Sequence, residues 1–192
     1  MSKMLFPKMA VSNIRKNKKL YVPYIITAIS TVMMFFMNIS IVKNKNVAAM
    51  RGGQNVVLLL QVALVVSFIF SAIFLFYTNS FLMKRRTKEI GLYNILGMEK
   101  KHISLMMLFE NVIITTISLT AGIVFGIIFS RLMFLVLMKL IKADSVPAFV
   151  ISTNAVAVTI IYFIGIFAVI YIYIILSRYR SLSQLNFFTA TR

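Results

Sequence analysis

The sequence contains no cysteine, one histidine and only four acidic residues among its 192 positions. Without cysteine, the chain has no disulfide framework, no thiolate nucleophile and no cysteine-based metal site. No Asp or Glu cluster accompanies His102, so we expect no metal site and no catalytic triad, and we interpret this residue as a solvated or interfacial histidine. A phosphate-binding loop of the form G-x-x-x-x-G-K-S/T is also missing, so we expect neither a bound cofactor nor an enzyme.

Apolar residues dominate the composition, with 60% of residues hydrophobic and 13% charged. These values lie far outside the range of soluble globular domains and predict an all-α, polytopic membrane protein. The 21 Lys and Arg give a formal net charge of +17. They cluster at the ends of apolar runs, which favours membrane lipid over nucleic acid as the partner of this charge.

Four apolar runs reach the length of about 20 residues that a bilayer-spanning helix needs. They cover approximately residues 20–42, 56–83, 104–130 and 152–176. The interrupted apolar pattern after Arg131 predicts a separate outer-face helix that ends before Pro147. Of the 21 Lys and Arg, 15 precede the first run, lie at 84–103 or follow the fourth run, so both termini are predicted to be cytoplasmic in the cell membrane.

The first 19 residues carry six basic residues and no acidic one. Scattered apolar residues among them favour an amphipathic helix on the membrane surface. An unstructured, positively charged flank is the equally weighted alternative.

A charged segment, residues 84–103, separates the second and third runs and reads KRRTKEIGLYNILGMEKKHI. Eight of its residues are charged and six of these are basic. At helical spacing, Ile90, Tyr93 and Leu96 form a short apolar face that ends near Gly97. This pattern predicts a cytoplasmic surface helix between two spans.

Small residues recur every fourth position along the third run, at Ser118, Gly122, Gly126 and Ser130. This spacing places them on one helix face, where a second backbone can approach closely. We therefore predict that this small-residue stripe packs against another helix and not against lipid.

Glu110 lies about six residues inside the third run, or roughly 9 Å at 1.5 Å per residue. An acid at this depth is costly and normally faces a bundle interior, a partner or water. We favour a carboxylate satisfied by a neighbouring helix or by a basic side chain of the charged segment. A proton or substrate site in a small transporter is the alternative.

Three stretches of the chain resemble one protein family. They are SNIRKNKKLYVPY, the charged segment with the apolar residues before it, and the Glu110-Asn111 pair with the following SLTAGIVFGIIFSRL. Together they are similar to FtsX-like ABC transporter permeases, and more narrowly to the branch for bacitracin-type antimicrobial-peptide export and detoxification. The resemblance implies an N-terminal elbow at 1–19, a transmembrane domain at 20–180 with a coupling loop at 84–103, and a cytoplasmic tail at 181–192.

The resemblance also implies partners and site residues. A separate ABC ATPase would bind ATP and dock on the charged segment, and a second permease half, a second copy of the chain or a sensor histidine kinase would be further partners. The positions that correspond to the docking element of the family are Arg85, Glu89, Gly91, Leu92, Tyr93, Leu96 and Gly97.

Members of the antibiotic branch are considerably longer, with further spans and a large extracellular domain. An amino-terminal fragment, a split half-permease and a degenerate, inactive product are therefore all compatible with the resemblance. A non-transporting regulatory or assembly subunit of the same broad family and a proton-coupled exporter that uses Glu110 are the alternative functions.

Overall fold

A computed structural model describes residues 5–44, 47, 53–95, 100–140 and 152–190, which form helices and no strand. Four of the helices are long and apolar enough to cross a membrane, so the predicted all-α, four-span class is confirmed. The helices are α1 (Leu5–Lys16), α2 (Lys18–Val42), α3 (Gly53–Ile95), α4 (Lys100–Leu140) and α5 (Thr153–Ala190).

The third helix is longer than the sequence pattern suggested. Residues 84–95 of the charged segment continue α3 directly, whereas the sequence pattern predicts a separate surface helix. The reason is that neither glycine nor proline occurs between Gln54 and Ile90 to end the helix. At 1.5 Å per residue, α3 is about 65 Å long, twice the roughly 30 Å of a hydrocarbon core.

The fourth helix also extends past its predicted end. Residues 131–140 belong to α4, so the expected separate outer-face helix after Arg131 does not begin there. Leucine, methionine and phenylalanine dominate this stretch, and Arg131 alone gives the backbone no reason to break. Most of the predicted loop at 43–55 lies outside the described residues.

The N-terminal segment is helical, and α1 turns into α2 at Asn17. Of the two alternatives for residues 1–19, the helix is the one observed, with residues 1–4 outside the described part of the chain. At the other terminus, α5 continues to Ala190, so the predicted tail begins within a helix.

Contacts between the helices show their relative directions. Phe35 of α2 lies beside Phe68 of α3, while Tyr21 lies beside Arg86, so these two helices are antiparallel. Helices α2 and α4 are parallel, since Tyr21 contacts Glu110 near the start of both helices and Val32 faces Gly122 further along. This alternation is the one expected of helices that cross a membrane in succession.

The small-residue stripe of α4 packs against α2. All four of its residues are buried. A Cβ atom added to Gly122 would lie 2.6 Å from Val32 Cβ, and one added to Gly126 would lie 2.7 Å from Phe36 Cδ1. The backbones of α2 and α4 are thus as close as glycine permits, as expected for small residues at this spacing.

Helices α3 and α5 meet through a smaller contact. The Tyr162 ring stacks on Phe68, with 4.1 Å between ring centroids. Its hydroxyl donates to the Phe68 carbonyl oxygen and lies 2.9 Å from the Ser71 hydroxyl. This contact therefore combines aromatic stacking with hydrogen bonding between the apolar parts of two helices.

We expect Tyr162→Phe to lower the free energy of unfolding only slightly, by about 0.6 kcal/mol, which is typical of hydrogen bonds between membrane helices. The ring contacts with Phe68 stay in place, and only the hydroxyl is lost. Titration with sodium dodecyl sulfate in mixed micelles measures the difference. Tyr77→Phe, at an exposed tyrosine of the same helix pair, is the control.

Candidate functional site

A buried ion pair joins the charged segment to Glu110. The Arg86 guanidinium is fully buried and donates through Nη1 to Glu110 Oε2 and through Nη2 to Glu110 Oε1, the latter at 3.2 Å. Such two-point pairing between a guanidinium and a carboxylate fixes orientation as well as distance. It joins α3 to α4 at the end of the bundle where α1 lies.

Two further side chains donate hydrogen bonds to the Glu110 carboxylate. Asn13 of α1 donates through Nδ2 to Oε1 at 2.7 Å, and the Tyr21 hydroxyl of α2 donates to Oε2 at 2.7 Å. The Tyr21 ring also lies under the Arg86 guanidinium, 5.1 Å from its centroid. Four helices therefore meet at one carboxylate.

The cluster extends to Glu89, one turn further along α3. Asn17, at the turn between α1 and α2, donates through Nδ2 to Glu89 Oε2 at 2.9 Å. Its side chain makes no capping hydrogen bond to α2 and serves this contact instead. Arg86 Nε lies 3.7 Å from the same Glu89 oxygen, within ion-pair distance but without a hydrogen bond. We call these six residues the polar cluster: Asn13, Asn17, Tyr21, Arg86, Glu89 and Glu110.

Helical periodicity explains why Arg86 points inward. The buried face of α3 follows Ser71, Leu75, Asn79 and Leu82 and reaches Arg86 four residues later. Glu110 likewise lies on the α4 face that continues as the small-residue stripe, eight residues before Ser118. The periodicity of the buried α3 face thus distinguishes Arg86 from Arg85, to which the family resemblance assigns a docking role.

The predicted docking residues separate into two groups. Glu89 belongs to the polar cluster, whereas Arg85, Gly91 and Leu92 are exposed on α3. The Arg85 guanidinium lies 4.8 Å from the Phe81 ring centroid, and a Cβ on Gly91 would meet nothing within 4 Å. Tyr93 belongs to α3, and Leu96 and Gly97 lie outside the described residues.

The contacts of Glu110 distinguish a structural role for this carboxylate from a role as a proton site. Both of its oxygens accept hydrogen bonds, from three different side chains. A buried carboxylate with an arginine partner is best explained as a structural element of the bundle. The geometry therefore favours one of the two interpretations of Glu110. It is a carboxylate paired with a basic side chain of the charged segment, Arg86, and not an isolated proton site.

The match to a protein family extends over the charged segment and Glu110. Residues 61–184 match the family described as FtsX-like permease C-terminal, which is more than half of the chain. The chain belongs to the FtsX-like permease family. The resemblance noted from the sequence is thereby confirmed, and the FtsX-like region includes Arg86, Glu89 and Glu110 but begins after Asn13, Asn17 and Tyr21.

Several curated proteins are similar to this FtsX-like permease chain. An uncharacterized ABC transporter permease, YvcS of Bacillus subtilis (strain 168), is 31% identical over 90% of the chain and 27% of its own length. The bacitracin export permease protein BceB of the same organism is 30% identical over 86% of the chain and 26% of its own length. BceB of Halalkalibacterium halodurans is 28% identical over 91% of the chain. The chain spans about a quarter of the length of these relatives.

The family and the four apolar helices identify a multi-pass membrane protein. In the FtsX-like permease chain, the polar cluster and the exposed part of α3 adjoin each other at one end of the bundle. This end is the candidate functional site, because it combines buried charge with an exposed apolar side chain, Leu92.

Proposed function

We propose that this chain is the permease subunit, or part of the permease subunit, of an ABC transporter. A separate ATPase binds and hydrolyses ATP, and the chain couples that hydrolysis to antimicrobial-peptide export or detoxification. The similarity to relatives named as ABC transporter permeases and bacitracin export permeases supports this proposal. On this proposal the chain itself is not an enzyme and needs no cofactor.

The proposed orientation places both termini and the charged segment in the cytoplasm, as the distribution of Lys and Arg suggests. The ATPase is then the direct partner of the charged segment. A second permease half or a second copy of the chain completes the transport path, a sensor histidine kinase is a further partner, and anionic lipid lies against the basic residues of α1.

The docking proposal rests on the extension of α3 beyond its apolar, membrane-spanning part. This extension consists of residues 87–95. Leu92 is 57% exposed on this extension, and Gly91 beside it leaves open space for an approaching surface. An exposed apolar side chain on a helix fits a hydrophobic groove of a partner protein. Basic residues precede it, including Arg85, which is also exposed.

We expect Leu92→Asp to abolish association with the ATPase while the chain still inserts in the membrane. A carboxylate at this position would have to enter an apolar groove without a partner, which is strongly unfavourable. Purification of the tagged chain from native membranes, followed by mass spectrometry, measures the amount of ABC ATPase recovered.

The matched control is Leu140→Asp, at a 76% exposed leucine on the opposite end of α4. It introduces the same charge far from the charged segment and should leave ATPase recovery unchanged. Equal recovery of the ATPase with Leu92→Asp and with the unaltered chain would refute the docking assignment. If no ABC ATPase is recovered with the unaltered chain, the transporter proposal itself fails.

A further inference from the structure

Arg86 lies where the exposed extension of α3 joins its membrane-spanning part. Its immediate partners come from α2 and α4, and Asn13 of α1 shares the same carboxylate. Since α3 has no glycine or proline between Gln54 and Ile90, this stretch can move as one rod. A displacement of the extension therefore moves Arg86 directly.

Glu110, in contrast, belongs to the part of the bundle that is held most firmly. It accepts hydrogen bonds from α1 and α2, and its own helix packs on α2 through Gly122 and Gly126. Contact between α3 and α4 is sparse, and the Arg86–Glu110 pair bridges it. Helix α3 also packs along α2, where Phe68 lies beside Phe35, so the pair adds a direct link to α4 to the contacts that α3 already makes with α2.

We propose that Arg86 and Glu110 are positioning residues that couple the exposed end of α3, residues 87–95, to the α1–α2–α4 unit. Movement of the exposed end of α3 reaches α4 through this contact, and without the contact α4 no longer follows that movement. The proposal rests on the proposed function only for the identity of the partner that moves the segment. Because two-point pairing fixes orientation, lysine at position 86 would keep the charge but lose the geometry.

Distances between spin labels test the contact without any partner protein. The chain has no cysteine, so Leu92→Cys and Val124→Cys introduce the only two labelling sites, and both positions are exposed. They are separated by about 30 Å along the helix axes, a distance suited to pulsed electron resonance. A second pair, Val22→Cys with Val124→Cys, reports on α2 against α4.

We expect Glu110→Gln to broaden the distance distribution of the Leu92–Val124 pair and to leave that of the Val22–Val124 pair unchanged. Arg86→Lys should give an intermediate width. Arg131→Gln, which changes an exposed arginine in the distant half of α4, should alter neither. An unchanged Leu92–Val124 distribution in Glu110→Gln would overturn the proposal. Broadening of both pairs would overturn it too, because the ion pair would then be a general requirement of the fold.

Measuring both the rate of ATP hydrolysis and the amount of bound ATPase distinguishes a role in coupling from a role in docking. With the ABC ATPase that copurifies with the chain, Glu110→Gln should reduce stimulated turnover about ten-fold, within the usual range of coupling between sites. The amount of bound ATPase should stay the same. Loss of binding together with turnover would refute a positioning role, as would full stimulation. If no ATPase is recovered but the label distances respond as expected, the proposed function fails and the positioning role of the pair stands.

Discussion

Glu110→Ala is expected to lower the free energy of unfolding by about 3–5 kcal/mol, the usual cost of leaving one member of a buried ion pair alone. The substitution leaves the fully buried Arg86 guanidinium without a carboxylate. It also removes the acceptor for Asn13 and for the Tyr21 hydroxyl. Titration with sodium dodecyl sulfate in mixed micelles, followed by circular dichroism, measures the loss.

The double variant Arg86→Met with Glu110→Leu tests the physical reason. It removes both charges and keeps a similar volume, so it should recover the part of the loss that comes from the unpaired Arg86, while Asn13 and the Tyr21 hydroxyl still lack their acceptor. Arg85→Ala is the control, because this neighbouring arginine is exposed and should change the unfolding free energy by less than about 1 kcal/mol. A double variant as unstable as Glu110→Ala would show that unpaired charge is not the cause.

Gly122→Leu should also be strongly destabilising, with a loss of about 3 kcal/mol from overpacking. The new Cβ would lie 2.6 Å from both Cβ and Cγ1 of Val32 and 3.1 Å from the carbonyl oxygen of Ile29. Neither a Cβ atom nor a backbone oxygen can turn aside, so α2 and α4 would have to separate. The same detergent titration measures this loss.

Gly165→Leu supplies the matched control within α5. A Cβ there meets nothing within 4 Å, and leucine has a higher helix propensity than glycine by roughly 1 kcal/mol. This variant should therefore be neutral or slightly more stable than the unaltered chain. Equal losses at Gly122 and Gly165 would contradict close packing of α2 on the small-residue stripe.

The number and approximate positions of the spans could be predicted from hydrophobicity alone, because the bilayer sets the length of an apolar helix. Helix ends were harder to predict. The charge of residues 84–90 suggested a boundary, yet lysine, arginine and glutamate are good helix formers, and α3 continues through them. Charge determines where a helix leaves the membrane. The helix itself ends only where a residue disfavours helical structure.

The small residues of α4 and the acid Glu110 stood out in the sequence because each is unusual within an apolar run. Their partners did not stand out. Asn13 and Tyr21 are 97 and 89 residues away from Glu110 and occur among many similar polar residues. Only the tertiary arrangement of four helices brings them together, and no local pattern encodes that arrangement.

The uninterrupted length of α3 makes it a lever with unequal arms. From Arg86, the arm to Ile95 is about 14 Å long and the arm to Gly53 is about 50 Å long, at 1.5 Å per residue. If α3 turned as a rigid rod about Arg86 alone, a shift of about 2 Å at Ile95 would become about 7 Å at Gly53. The packing of Phe68 against Phe35 and Tyr162 opposes this rotation. The contacts of Phe68 therefore limit how much of a movement at the charged end of α3 reaches its other end.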